Sequence, residues 1–330
     1  MNESSNPLIS LKNVKTYFPV AGNFGAPGGY VKAVDNVSFS IQKGQTFGLV
    51  GESGCGKTTV GKTILRLTDA MAGEIIYKDQ DILKMSSSAF SSIRRELQMI
   101  FQDPYGSIDP RQAVASVVGE AINAGKEKLH GKALREKINE YLVTVGLSEE
   151  LGDRYPHEMS GGQRQRLGIA RALACSPELI VCDEPVSALD VSIQAQIINL
   201  FEKLQRDKGL TYLFIAHDLA VVKHIADVIG VMYLGHLVEK VDSTNLYLNP
   251  LHPYTHALLS AVPITKYYKE RKRERIILQG EVPSPINAPK GCPFNPRCPH
   301  ATDECRQKMP ELTDAGSGHL VACHNFNTVN

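Results

Sequence analysis

A glycine-rich loop ending in a lysine limits this chain to few folds. Gly51-Glu52-Ser53-Gly54-Cys55-Gly56-Lys57-Thr58 fits G-x-x-x-x-G-K-[ST]. It follows the apolar run Thr46–Val50 and precedes a stretch with apolar residues at 60, 64, 65 and 67. The run reads as a strand and the periodic stretch as a helix. Such a junction turns successive backbone N–H groups, and the partial positive charge of a helix N-terminus, onto one small volume that accepts phosphate. Lys57 is placed to reach β and γ phosphates, and the Thr58 hydroxyl to reach a bridging Mg²⁺. Gly51, Ser53, Gly54, Cys55, Gly56 and Thr59 complete the candidate ATP-binding loop.

A phosphate loop also needs a carboxylate to hold the metal's water shell. Leu179–Cys182 is an apolar run ending in Asp183 and Glu184. Asp183 is the metal candidate. Glu184, one residue on in an extended chain, points elsewhere and is the candidate general base for an attacking water. Taken alone, two acids after a buried strand also fit a helix cap.

The 330 residues suffice for about two domains. With 42% hydrophobic and 22% charged residues and a net charge of +1, the chain reads as an ordinary globular protein whose overall charge draws it to neither nucleic acid nor anionic lipid. No apolar run approaches the roughly 20 residues that cross a bilayer. The first ten residues lack the basic flank and apolar core of a secretory signal, so the chain is expected to stay in the cytoplasm.

Short strands fill residues 8–50, around a glycine-rich stretch at Ala21–Gly29. Between Ser91 and Ala174 the pattern becomes helical, with Ile138, Tyr141, Leu142 and Val145 on one face. Apolar runs return at 179–182, 212–216 and 228–234, alternating with helical segments. That alternation predicts an α/β fold with a largely parallel sheet covered by helices on both faces. Ten prolines between 250 and 310 predict a tail with little regular structure, and the basic run 266–275 reads as a solvated linker.

Ser160-Gly161-Gly162-Gln163-Arg164, with the Asp183-Glu184 strand end, resembles the signature and catalytic strand of the ATP-binding cassette of ABC proteins. Gln102 resembles that family's Q-loop glutamine, Ser187-Ala188-Leu189-Asp190 its D-loop with Asp190, and His217 its switch histidine. The resemblance implies a RecA-like core with an inserted helical subdomain at about 91–174, the cassette spanning 1–245. It also implies a head-to-tail dimer in which the loop of one subunit and the signature of the other (here Ser160, Gly161, Gly162 and Gln163) enclose each ATP. Gln102 would join Thr58 and Asp183 at Mg²⁺, His217 would contact the γ-phosphate, and Phe18, with Tyr17 as the alternative, would stack on adenine. From spacing alone, Ser160–Gly162 precede a helix expected to start near Gln163.

Ala216–Val222, Asn249–Thr255 and Gly280–Pro285 resemble the dipeptide and oligopeptide importer ATPases, the second of their two ATPase subunit types most closely. That resemblance implies a C-terminal extension over 246–330, and as partners a paralogous ATPase, two membrane permease subunits and an extracytoplasmic peptide-binding protein. It places the chain peripherally on the cytoplasmic face of the membrane. Relatives of this type also import nickel, opines or glutathione. A soluble ABC protein and an iron–sulfur assembly ATPase are the rival classes. The chain has one phosphate loop and no sustained heptads, whereas soluble ABC proteins fuse two cassettes or insert coiled coils.

Four of the seven cysteines, Cys292, Cys298, Cys305 and Cys323, are separated by five, six and 17 residues. Tight C-x-x-C knuckles are absent, and the wider intervals suit a cluster larger than one ion. The family's tail implies a [4Fe–4S] cluster here, with zinc or free thiols as alternatives and His300, His319 and His324 as reserve ligands. Cys55, Cys175 and Cys182 are expected to be buried apolar residues.

Overall fold

The computed structural model describes residues 6–21, 27–125, 128–262 and 276–328, so the basic run 266–275 and part of the glycine-rich stretch lie outside the described residues. In chain order the strands are β1 (Ile9–Ala21), β2 (Pro27–Ile41), β3 (Thr46–Val50), β4 (Ala72–Tyr77), β5 (Gln80–Asp81) and β6 (Leu97–Ile100). There follow β7 (Leu179–Asp183), β8 (Thr211–Ala216), β9 (Val228–Tyr233), β10 (His236–Asp242), β11 (Thr313–Asp314) and β12 (Leu320–Val321). The helices are α1 (Lys57–Ile64), α2 (Ser87–Arg94), α3 (Pro104–Ser107), α4 (Val114–Ala124), α5 (Gly131–Thr144) and α6 (Gly161–Ala174). After them come α7 (Val191–Lys208), α8 (Leu219–Ile225), α9 (Ser243–Leu248), α10 (Pro253–Ser260) and α11 (Asp303–Gln307).

Two compact units interleave along the chain. One holds Ile41–Thr46 and Lys84–Ile215. In it β6, β7 and β8 run parallel, in register at Leu97↔Leu179 and Leu179↔Thr211. Every residue of β7 and β8 is buried, as expected of parallel strands covered on both faces. Helix α4 packs on α5 and α6. The helical face read from the sequence is the one that α5 buries, through Ile138, Tyr141 and Leu142.

The second unit holds Pro7–Ser40, Phe47–Leu83 and Ala216–Asn330. Its first sheet, β2-β1-β4-β5, pairs β1 with β4 antiparallel from Ile9↔Tyr77 to Lys15↔Ala72, with a bulge between Lys12 and Lys15. Its other strands follow the order β11-β12-β10-β9-β3. Only β3 and β9 are parallel there, at Phe47↔Val228; β10, β11 and β12 pair antiparallel. The sheet is therefore more mixed than expected, because β9 returns as β10 across Leu234 and Gly235 (φ 44° and 82°), a tight turn that no parallel crossover allows.

The tail is also more regular than its prolines imply. β12 pairs with β10 at Glu239↔Val321, and Pro253 begins α10, where a missing N–H costs nothing.

Candidate nucleotide-binding site

In the second unit, the fully buried β3 delivers the chain into Gly51–Gly56 and then α1. Two glycines are sterically required. A Cβ on Gly51 would lie 2.2 Å from the Met232 carbonyl oxygen, and one on Gly56 2.0 Å from that of Ala33; φ at Gly56 is 107°. No larger residue lets the loop curl this tightly. Ser53 and Gly54 face solvent, while Cys55 is buried and its thiol is pushed up by desolvation, against the opposing pull of Lys57. The buried Lys57 donates to the carbonyl oxygens of Gly51 at 2.8 Å and Glu52 at 2.9 Å. Thr58 and Thr59 lie half-buried on the first turn of α1, which carries no acidic residue.

Phe18 is the exposed aromatic of β1, at 40%. The neighbouring Tyr17 is committed elsewhere: its hydroxyl donates to Asp35 at 2.7 Å, and burial together with that carboxylate raises its pKa. His217 follows β8 in an exposed position, beside Asp218, which caps α8 through the Ala220 amide.

The same unit contains a contact with no signal in the local sequence. The Glu52 carboxylate accepts two bonds from Arg297, at 2.8 and 3.2 Å, and the Glu52 amide donates to the Tyr254 hydroxyl at 2.8 Å. Both partners come from the tail, and 245 residues separate Glu52 from Arg297.

In the first unit, Asp183 ends β7 and is 4% exposed. Glu184 follows at φ 45°, an uncommon conformation for a residue other than glycine. Its amide donates to the Ile215 carbonyl at 3.0 Å, and its carboxylate accepts from the Gln102 amide nitrogen at 3.0 Å. The structure thus joins two residues chosen separately from sequence. Asp190 stands exposed at the N-cap of α7, after a turn that Gln194 closes onto the carbonyls of Val186 and Leu189.

Ser160 caps α6. Its hydroxyl accepts from the Gln163 amide at 3.3 Å while its own amide donates to the Gln163 side chain at 2.9 Å. This reciprocal cap starts the helix at Gly161, two residues earlier than expected. A Cβ on Gly162 would meet Ile193 at 2.8 Å.

In the tail, Cys292, Cys298, Cys305 and Cys323 line one cavity of about 10 Å³, with His300 and His324 at its wall. Burial, and to a lesser degree the other thiols, pushes Cys292 up to about 12 and Cys323 up to about 11. Among the described residues, no three His, Cys, Asp or Glu side chains stand close enough to hold a metal ion. His319 is engaged elsewhere, 2.7 Å from the buried Glu239. Cys55, Cys175 and Cys182 are buried, as expected. Among the described residues no helix is long and apolar enough to cross a membrane.

Residues 34–187 match the family described as ABC transporter, and residues 238–305 that described as oligopeptide/dipeptide transporter, C-terminal region. The chain is 53% identical over 322 residues to the oligopeptide transport ATP-binding protein AppF of Bacillus subtilis, covering 97% of this chain and 98% of that one. It is 46% identical over 325 residues to the dipeptide transport ATP-binding protein DppF of Haemophilus influenzae, covering 98% of each. Among solved structures, the dimeric ATP-binding cassette MJ0796 in a post-hydrolysis state with ADP and Pi matches with a TM-score of 0.63 at 27% identity. That match covers 71% of this chain and 98% of that one.

Proposed function

The chain belongs to the ATP-binding subunits of oligopeptide and dipeptide ABC transporters, and from that premise we propose how its own residues bind and hydrolyse ATP to energise peptide import. The observation that carries the reading is the loop from Gly51 to Lys57, a cradle in which Cβ atoms at Gly51 and Gly56 would collide with backbone. Its backbone N–H groups and Lys57 neutralise the phosphates, and Phe18, the exposed ring of β1, stacks on the base. Glu184 takes the proton of the attacking water, oriented by Gln102, and His217 contacts the γ-phosphate. Thr58, Gln102 and Asp183 would hold Mg²⁺, which offsets phosphate charge when bound.

Ser160, Gly161, Gly162 and Gln163 at the start of α6, with Asp190, serve the ATP of a paralogous ATPase subunit. The cassette occupies 1–245, with its helical subdomain at about 91–174, and the extension 246–330. The two ATPases sit on two permease subunits at the cytoplasmic face, supplied by an external peptide-binding protein. Cys292, Cys298, Cys305 and Cys323, which line one small cavity, are the residues that would hold a [4Fe–4S] cluster, and the cluster would cross-link the tail when bound.

Transport tests this reading. Vesicles containing this chain, its paralogue and the permease should accumulate a di- or oligopeptide on addition of ATP, and Lys57→Ala should abolish uptake. Uptake at the wild-type rate with Lys57→Ala would remove this chain from energising transport.

A further inference from the structure

The nucleotide loop is held from outside the cassette motifs, at Glu52. This residue sits one place into the loop, and its carbonyl accepts from both Lys57 (2.9 Å) and the Cys55 amide (3.3 Å). Any shift of Glu52 therefore displaces the lysine that meets phosphate. Two tail residues hold it: the Tyr254 hydroxyl on its amide and the Arg297 guanidinium on its carboxylate. The Arg297 side chain is 8% exposed and lies 5.9 Å from the centre of the Tyr233 ring. Tyr233 packs edge-on against both Tyr254, at 4.7 Å, and Phe294, at 5.2 Å. The Arg297 amide donates to the Phe294 carbonyl at 3.0 Å, so the turn from Cys292 to Cys298 presents the guanidinium to the loop.

The charges give this contact a purpose. A carboxylate in a loop built to receive a triphosphate repels its ligand, and a paired guanidinium removes that repulsion. We infer that Arg297 is a positioning residue for ATP binding: it neutralises and fixes Glu52, so that the cysteine-bearing turn 292–298 sets how tightly the loop holds nucleotide. This rests on the reading that the loop binds ATP and not on what the cysteines hold.

The test is MgATP affinity of the purified full chain, measured by titration calorimetry. Arg297→Ala should weaken binding by roughly ten- to thirtyfold, as an uncompensated charge near the phosphates would. Arg297→Lys should fall between it and wild type, because it keeps the charge and loses the second bond. Adding Glu52→Gln to Arg297→Ala should restore affinity to within about threefold, since the repelling charge is gone. A merely structural lesion in the tail would not be rescued this way.

Wild type offers a second readout that needs no variant to fold: by reciprocity, MgATP should slow amide hydrogen exchange in residues 291–299. Unchanged affinity in Arg297→Ala, no recovery in the double variant, or unaltered exchange in that turn would each overturn the proposal. A wild-type chain that bound no MgATP would instead overturn the ATP reading on which it stands.

Discussion

Glu184 holds its carboxylate on a left-handed backbone at φ 45°, and Gln102 donates to it at 3.0 Å. Strain of this kind costs on the order of 1–3 kcal/mol and persists where the surroundings enforce it, here through the hydrogen bond that the Glu184 amide donates to the Ile215 carbonyl. Glu184→Gln keeps the shape and removes the proton acceptor. It should bind MgATP as wild type does and turn over roughly 10²-fold more slowly in the assembled transporter. Hydrolysis near the wild-type rate would take the base role from Glu184. The loop glycines make a second residue-scale contrast. Gly56→Ala puts a Cβ 2.0 Å from a carbonyl, whereas Gly54→Ala, at φ 78°, meets nothing within 4 Å. Gly56→Ala should lose ATP binding and more than about 1 kcal/mol in urea unfolding, with Gly54→Ala the milder of the two. Equal losses would refute the steric account of the loop.

At the scale of elements, what the sequence discloses depends on the distance between interacting parts. The strand, loop and helix around Lys57 are legible because apolar runs and glycine spacing are local, and so is the α5 face. The cap of α6 is legible as residue types, yet its reciprocal bonds move the helix start to Gly161. Pairing of β12 with β10, and the Arg297–Glu52 contact, are invisible to periodicity because the partners are remote and proline counts say nothing of position. Glu239, on β10, shows what binds the tail to its sheet: it accepts from the amides of Leu251 (2.7 Å) and His252 (2.9 Å) and meets His319. Burial pushes its carboxyl up, but these bonds outweigh burial and hold it below the ordinary carboxylate value. Its contribution is thus complete above about pH 4.3 and is lost as pH falls through the lower folded value. Glu239→Gln should cost about 2 kcal/mol at neutral pH, and the gap to wild type should close in acid. A gap that widens on acidification would contradict this. The proposed cluster makes a separate demand: if the four cysteines hold a metal centre, ligation would supply on the order of 10 kcal/mol to the folding of the tail. Anaerobic protein should contain iron and acid-labile sulfide, and Cys298→Ser should lose both and leave 280–330 open to protease. One equivalent of zinc without iron would replace the cluster with a zinc site.

For the whole molecule, the decisive fact is that each motif occurs once. The phosphate loop lies in one compact unit and the Ser160 cap in the other, so the chain brings one loop and one signature to an assembly. The similar cassette MJ0796 is described as a dimer in its post-hydrolysis state. If ATP is enclosed by the loop of one subunit and the signature of its partner, hydrolysis depends on association and not on the chain's own fold. The purified chain should bind MgATP yet hydrolyse it slowly, with a rate that rises on adding the paralogous ATPase and permease. Ser160→Arg separates binding from closure. It places a long cation where a small capping residue exposes backbone N–H groups, so it should spare MgATP binding at this chain's own loop and suppress the assembled rate. A strictly monomeric preparation, checked by light scattering in the presence of MgATP, that hydrolysed as fast as the full transporter would show that one chain completes its own site.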